Sequence, residues 1–144
     1  MNEINSALAT KPLFVASLGV RWRDLDAFNH VNNSIYLTYL EEARLQWLQH
    51  MPDWANADAA PVLAASELQY RQPINWPGSL QIELRCLRIG NSSLTVAHRI
   101  VDAADPGRLY CDGHVVLVWM NPTTGKSVPL PTSIRAAVET GQPA

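Results

Sequence analysis

With 144 residues, of which 47% are hydrophobic and 17% charged, the chain has enough apolar material for one globular core, and no composition break marks a second. The formal net charge of −2 leaves no basic footprint, so a nucleic-acid partner is not expected, although local Arg or Lys could still hold an anionic ligand. No apolar run is long enough to span a bilayer, so no membrane association is expected and the default compartment is the cytoplasm.

Residues 1–12 are small and polar without sustained periodicity and read as a flexible leader, with a single domain over 13–140. From Leu13, "LFVASLGVRWR" is rich in β-branched and aromatic residues and reads as a strand ending near Arg23. A polar stretch follows, and then Ile35, Tyr36, Tyr39, Leu40, Ala43, Trp47 and Leu48 recur at three- and four-residue steps, placing them on one helix face. Asn32 or Asn33 can cap that helix, and Pro52 ends it.

Beyond "PDWANADAAP" the period changes to two. Val62, Ala64, Ser66, Leu68 and Tyr70 would share one strand face until Pro73, Pro77 and Gly78 break the run. Leu80, Ile82, Leu84 and Cys86 mark the next strand, "GNSS" a turn, and Leu94, Val96, His98 and Ile100 its hairpin partner. "DAADPG" turns the chain into a strand carrying Leu109, Cys111, Val115, Leu117 and Trp119 on one face, with Gly113 marking a bulge or a close backbone approach. "NPTTGK" is another turn, and "PTSIRAAVE" a short C-terminal helix. The order is strand, helix, four strands: an α+β domain with a mostly antiparallel sheet. One long helix cannot cover both faces of such a sheet, so a homo-oligomer is expected.

The chemistry-bearing residues gather before the long helix, in "RWRDLDAFNHVNN". Asp26 and His30 precede a helix start whose first backbone N–H groups have no intrahelical acceptor, a ready site for an oxyanion. A carboxylate there could attack a carbonyl or activate a water, which points to acyl transfer. On spacing alone, a turn or cap remains the simpler role for Asp24 and Asp26, and His30 is as readily a turn residue. Glu42 and Arg44 fit a solvated helix face, whereas Glu41, at the flank of the apolar stripe, could point into a cleft and hold a water. The four His are scattered and the two Cys sit apart in strand-like runs, so neither a metal site nor a disulfide is expected. "TGKS" lacks the first Gly of a phosphate loop and reads as a turn.

"DLDAFNHVNNSIYLTYLEEAR" resembles the signature of the hotdog-fold acyl-CoA thioesterases of the 4-hydroxybenzoyl-CoA thioesterase family, Asp-x-x-x-His-Val-Asn-Asn-x-x-Tyr leading into the central helix. The resemblance implies a hotdog fold, with an antiparallel sheet wrapped around one long helix, and a homodimer or a tetramer of two dimers with active sites at the dimer interface. It implies an acyl-CoA substrate and no cofactor. Asp26 matches the catalytic carboxylate, as nucleophile or general base, Asn33 the position whose backbone N–H polarises the thioester carbonyl, and His30 the histidine of the His-Val-Asn-Asn branch.

Phe28 stands where plant acyl-ACP thioesterases of that branch have Asn, and Ser79 where many relatives have an acid. Dehydratases of the same fold have one more residue between Asp and His, and a Pro that this chain lacks. Phe28, Tyr36, Arg71 and Arg88 are candidate substrate-binding residues, with Arg85 and Arg99 as further candidates for the CoA phosphates. An acyl-ACP substrate, or a non-catalytic acyl-binding role, would be the alternatives.

Overall fold

The computed structural model describes residues 10–140, so the first nine residues of the expected leader lie outside the described residues. The elements are β1 (Phe14–Gly19), a 3-10 turn (Trp22–Asp24), α1 (Asn33–Leu48), β2 (Ala60–Tyr70), β3 (Ser79–Ile89), β4 (Ser93–Asp102), β5 (Leu109–Met120) and α2 (Thr132–Thr140). The strands form one sheet in the order β1-β3-β4-β5-β2, antiparallel throughout. The anticipated element order is therefore present, with every strand antiparallel to its neighbours.

β1 is shorter than the sequence pattern suggests. Its pairing with β3 ends at Gly19 opposite Ser79, the first residue of β3, and only Val20 N–H still reaches across, to the Gly78 carbonyl at 2.9 Å. Past that point no ladder remains, and Arg21 to Asp24 coil into the 3-10 turn, closed by Asp24 N–H on the Arg21 carbonyl at 2.9 Å.

α1 has 16 residues and spans about 24 Å. Asn32 is its N-cap, the side-chain oxygen accepting the Ser34 N–H at 3.0 Å. Tyr36, Tyr39, Leu40, Ala43, Trp47 and Leu48 are buried, as their spacing requires, and Ile35 is half-buried. They pack into one core with Ala16, Leu80, Ile82, Leu84, Leu94, Val96, Ile100, Val115 and Trp119. Glu41 and Glu42 are exposed, but Arg44 is only 7% exposed, so it does not belong to the solvated face expected of it.

β2 departs from simple alternation. Its register against β5 slips between Leu63 and Ala65, so Leu63, Ser66, Leu68 and Tyr70 lie opposite Leu117, Val115, Gly113 and Cys111 on the core-facing side. Val62 instead pairs with Val118 on the other face, and Ala64 is the extra residue. The even-numbered face read from the sequence holds only below the bulge.

Gly113 is the close approach that its position suggested. It has φ +148°, and a Cβ there would stand 1.9 Å from the Glu67 carbonyl oxygen and 3.0 Å from His98 Nε2. The His98 ring occupies the space this leaves, 2% exposed, and its Nε2 has no hydrogen-bond partner among the described residues. Burial, and then the Arg44 charge, push its pKa down to about 3, so it is neutral in the fold. Cys111 is buried and Cys86 half-buried, both as free thiols.

Two outcomes are expected. Gly113→Ala should cost about 3 kcal/mol or more, read as a lower urea midpoint, because backbone rather than a flexible side chain blocks the new methyl. The unfolded chain protonates its His98 near pH 6.5 while the folded chain does not until about pH 3, so stability falls as pH drops through that window. The His98 contribution is about 1.5 kcal/mol lost between pH 6.5 and 5. Urea titrations at the two pH values should show that part of the slope vanish in His98→Leu.

Candidate functional site

The polar stretch between β1 and α1 folds into a small closed turn. Leu25 and Val31 form an antiparallel bridge, Asp26 N–H donates to the His30 carbonyl at 2.8 Å, and Asn29 N–H donates to the Asp26 carbonyl at 3.1 Å. Asn29 takes φ +61°, the left-handed region that Asn tolerates. Within this ring the Asp26 side chain turns inward: Oδ1 accepts the Phe28 N–H at 2.8 Å and the His30 N–H at 3.4 Å. Oδ2 takes neither bond and, among the described residues, is left as an acceptor edge on a half-exposed residue.

The turn is fastened to the helix start and to the loop before β3. Asn32 N–H donates to the Asp24 carbonyl at 2.9 Å, and Val31 N–H to the Ile74 carbonyl at 2.9 Å. Asn33 is therefore the first helical residue, and its N–H is among those with no intrahelical acceptor. Asp26, His30 and Asn33, the three residues singled out for chemistry, are brought together on one hydrogen-bonded segment at the positive end of α1.

Tyr36 and Tyr70 form a wall beside that end. Their rings meet edge to face at 4.9 Å, Tyr70 OH donates to the Asn33 carbonyl at 3.3 Å, and Tyr36 OH to the Gln72 carbonyl at 3.5 Å. Burial pushes the Tyr36 hydroxyl up to about 12, so it acts as a neutral donor. Phe28, by contrast, is 80% exposed at the tip of the turn.

The cationic candidates are dispersed. Arg71 follows Tyr70 directly and pairs with Asp112 at 3.0 Å. Arg85 and Arg99 both pair with Glu83, at 2.6 and 3.1 Å, on the sheet face away from α1. Arg88 stands at the far end of β3 from the turn, nine residues beyond Ser79 in an 11-residue strand. Glu41 lies two helical turns beyond Asn33, at the mouth of a cleft of about 270 Å³ bounded by Arg44, Leu45, Leu48, Trp54 and Leu63. A second cleft of about 310 Å³, between β1 and α1, is bounded by Ser17, Arg21, Thr38, Tyr39 and Glu42. Neither cleft is lined by Asp26, His30 or Asn33.

Two residues of this region escaped the sequence analysis. Asp24 was assigned a turn and Tyr39 a core position, yet Tyr39 OH donates to Asp24 Oδ2 at 2.6 Å in a buried contact. Asp24 is 2% exposed and also accepts the Arg21 N–H at 3.2 Å, with Arg21 Nε 3.6 Å away. Burial would raise its pKa, but the Tyr39 and Arg21 contacts outweigh it and hold the carboxyl below the usual 3.8. The signal available was a Tyr inside an apolar stripe, since a buried Tyr hydroxyl needs an acceptor.

Comparison with known proteins places this geometry in a family. Residues 20–138 match the model of the thioesterase-like superfamily. A solved structure of the PA2801 protein from Pseudomonas aeruginosa is 40% identical, covers 89% of this chain and 99% of its own, and superposes with a TM-score of 0.85. A Thermus thermophilus thioesterase, solved with coenzyme A and zinc, is 34% identical over 86% of this chain and 95% of its own, with a TM-score of 0.73. Long-chain acyl-CoA thioesterase FadM from Escherichia coli is 28% identical over 123 residues, 83% of this chain and 92% of that protein. With the matched segment running from Val20, through the Asp26 turn, α1 and strands β2 to β5, to Val138 in α2, this chain belongs to the thioesterase-like superfamily.

Proposed function

We propose that the protein is an acyl-CoA thioesterase, hydrolysing the thioester to a free carboxylic acid and CoA. The observation that carries this reading is the closed turn that holds the Asp26 carboxylate beside the amide-rich start of α1. The names of two relatives, one an acyl-CoA thioesterase and one a thioesterase crystallised with coenzyme A, support the substrate class.

The substrate carbonyl oxygen accepts the Asn33 N–H, favoured by the helix dipole, which polarises the carbon. Asp26 Oδ2 then either attacks that carbon or removes a proton from a water that attacks it. The negative charge passes to the carbonyl oxygen, and collapse of the tetrahedral species expels the CoA thiolate. In the first route water subsequently cleaves the acyl-aspartyl anhydride; in the second the acid forms directly. A thioester is already activated, so this scheme calls on no cofactor. His30 orients the turn, and Phe28, Tyr36, Arg71 and Arg88 are proposed to contact substrate.

The fold reading that accompanies this function is one hotdog domain over residues 13–140, with the sheet curled around α1, in the cytoplasm. A second copy of the chain is proposed to complete the site. β2 is an 11-residue edge strand, exposed along most of its length, and Val62, Leu63 and Tyr70 are exposed large side chains on it. Leu37 and Leu45 are exposed on α1, and Leu45 and Leu63 border the same cleft, so strand edge and helix flank make one apolar surface. Glu41 sits on that flank, where a partner could turn it toward the substrate.

Thiol release from a panel of acyl-CoA and acyl-ACP substrates tests the activity. Asp26→Asn should lower kcat by about a thousandfold. No release from any carrier, or equal rates in the variant, would sink the assignment, and release from ACP alone would change the carrier. Light scattering should give a dimer or tetramer for the wild type. Leu63→Arg should shift it toward monomer and reduce activity more than tenfold; a fully active monomer would refute a shared site.

A further inference from the structure

We propose that the buried Asp24–Tyr39 pair is a positioning device for hydrolysis, holding the Asp26 carboxylate at a fixed distance from the Asn33 N–H; this inference rests on the thioesterase reading. Asp24 is anchored at both ends. Its carboxylate is held from α1 by Tyr39 OH at 2.6 Å, and its carbonyl oxygen accepts the N–H of Asn32, the cap of the same helix, at 2.9 Å. The two bonds reach α1 seven residues apart, one at Asn33's immediate neighbour and one inside the core.

A pair of attachments of this kind leaves the segment no freedom to slide along the helix. Asp26 lies two residues further on, beyond Leu25, which is bridged to Val31. Any shift of Asp24 relative to α1 therefore moves Asp26 relative to Asn33. Tyr39 suits this task because a helical side chain leans toward the N-terminus, so its hydroxyl reaches back toward the helix start. Nothing about packing alone requires the hydroxyl: a Phe ring would fill the same core space. The Tyr39 and Arg21 contacts hold the Asp24 carboxyl below its ordinary 3.8, so it is the ionised form that accepts the Tyr39 hydroxyl at neutral pH. Neither residue reaches the expected position of the reacting carbonyl, so both act through Asp26 and Asn33.

The test compares Tyr39→Phe, Asp24→Asn and the double variant with wild type, reading kcat and KM separately on an acyl-CoA that the wild type hydrolyses. Tyr39→Phe should lower kcat by about 10- to 100-fold with KM unchanged within about twofold, the size of effect a small misplacement produces. Asp24→Asn keeps an acceptor for Tyr39 and should lose less. The double variant should be no worse than Tyr39→Phe, because the two residues form one unit. Amide hydrogen exchange supplies a readout that does not depend on turnover: Asn32 N–H should exchange at least about tenfold faster in Tyr39→Phe, while Ile82 and Ile100 amides in the sheet centre keep wild-type rates.

Wild-type kcat in Tyr39→Phe, a loss confined to KM, unchanged Asn32 exchange, or faster exchange throughout the sheet would each overturn the inference. A wild type inactive on every thioester overturns the proposed function together with it. An active wild type matched by Tyr39→Phe overturns this inference alone.

Discussion

The structure depends on one side of α1 being buried against one face of an antiparallel sheet. Tyr36, Tyr39, Leu40, Ala43, Trp47 and Leu48 leave the helix no other orientation, and removing the large side chains among them from water contributes about 1.5–3 kcal/mol each. Once that face is committed, the helix start has a single location, beside the end of β1 and the loop before β3. The short chain between Gly19 and Asn33 must close the distance. It does so with a 3-10 turn and a tight ring of backbone hydrogen bonds rather than a loose loop, and this is why the Asp26 carboxylate is held by backbone N–H groups a few residues before the helix start.

Several polar groups buried in that core are settled in different ways. Asp24 keeps its charge because a hydroxyl and a backbone N–H take the place of water. Tyr36 and Tyr39 stay protonated, with carbonyl or carboxylate acceptors. His98 gives up its proton, since burial strips the charged ring of water and the Arg44 cation repels it, while Nε2 has no partner among the described residues. Arg44 keeps its head under α1 at a cost that burial makes explicit, lowering its pKa against the opposing influence of Glu41. The carboxylate proposed to react is the one left at the surface, half in solvent, where a substrate can meet it.

Much of this was legible in the residues. The helix face, the hairpin at "GNSS", the turn at "DAADPG" and the close approach at Gly113 follow from periodicity and turn chemistry, which are local. The gathering of Asp26, His30 and Asn33 was legible because all three lie within eight consecutive residues. What escaped is non-local. The premature end of β1 depends on where β3 begins, the Ala64 bulge on the register of β5, and the depressed pKa of His98 in part on a helix residue, Arg44, that lies 54 positions away. Asp24 was unreadable for a similar reason: its partner is 15 residues off, and nothing in its own neighbourhood distinguishes it from a turn residue.

The bulge at Ala64 divides β2 into two lengths that answer to different neighbours. Above it, Leu63 borders the cleft near the C-terminal half of α1; below it, Tyr70 reaches the carbonyl of Asn33. Because an inserted residue absorbs changes of phase, sequence drift in the upper length need not propagate to the lower. The same strand can thus be reshaped along the cleft while the part that supports the start of α1 stays constant, a division that lets one edge of the scaffold vary without disturbing the other.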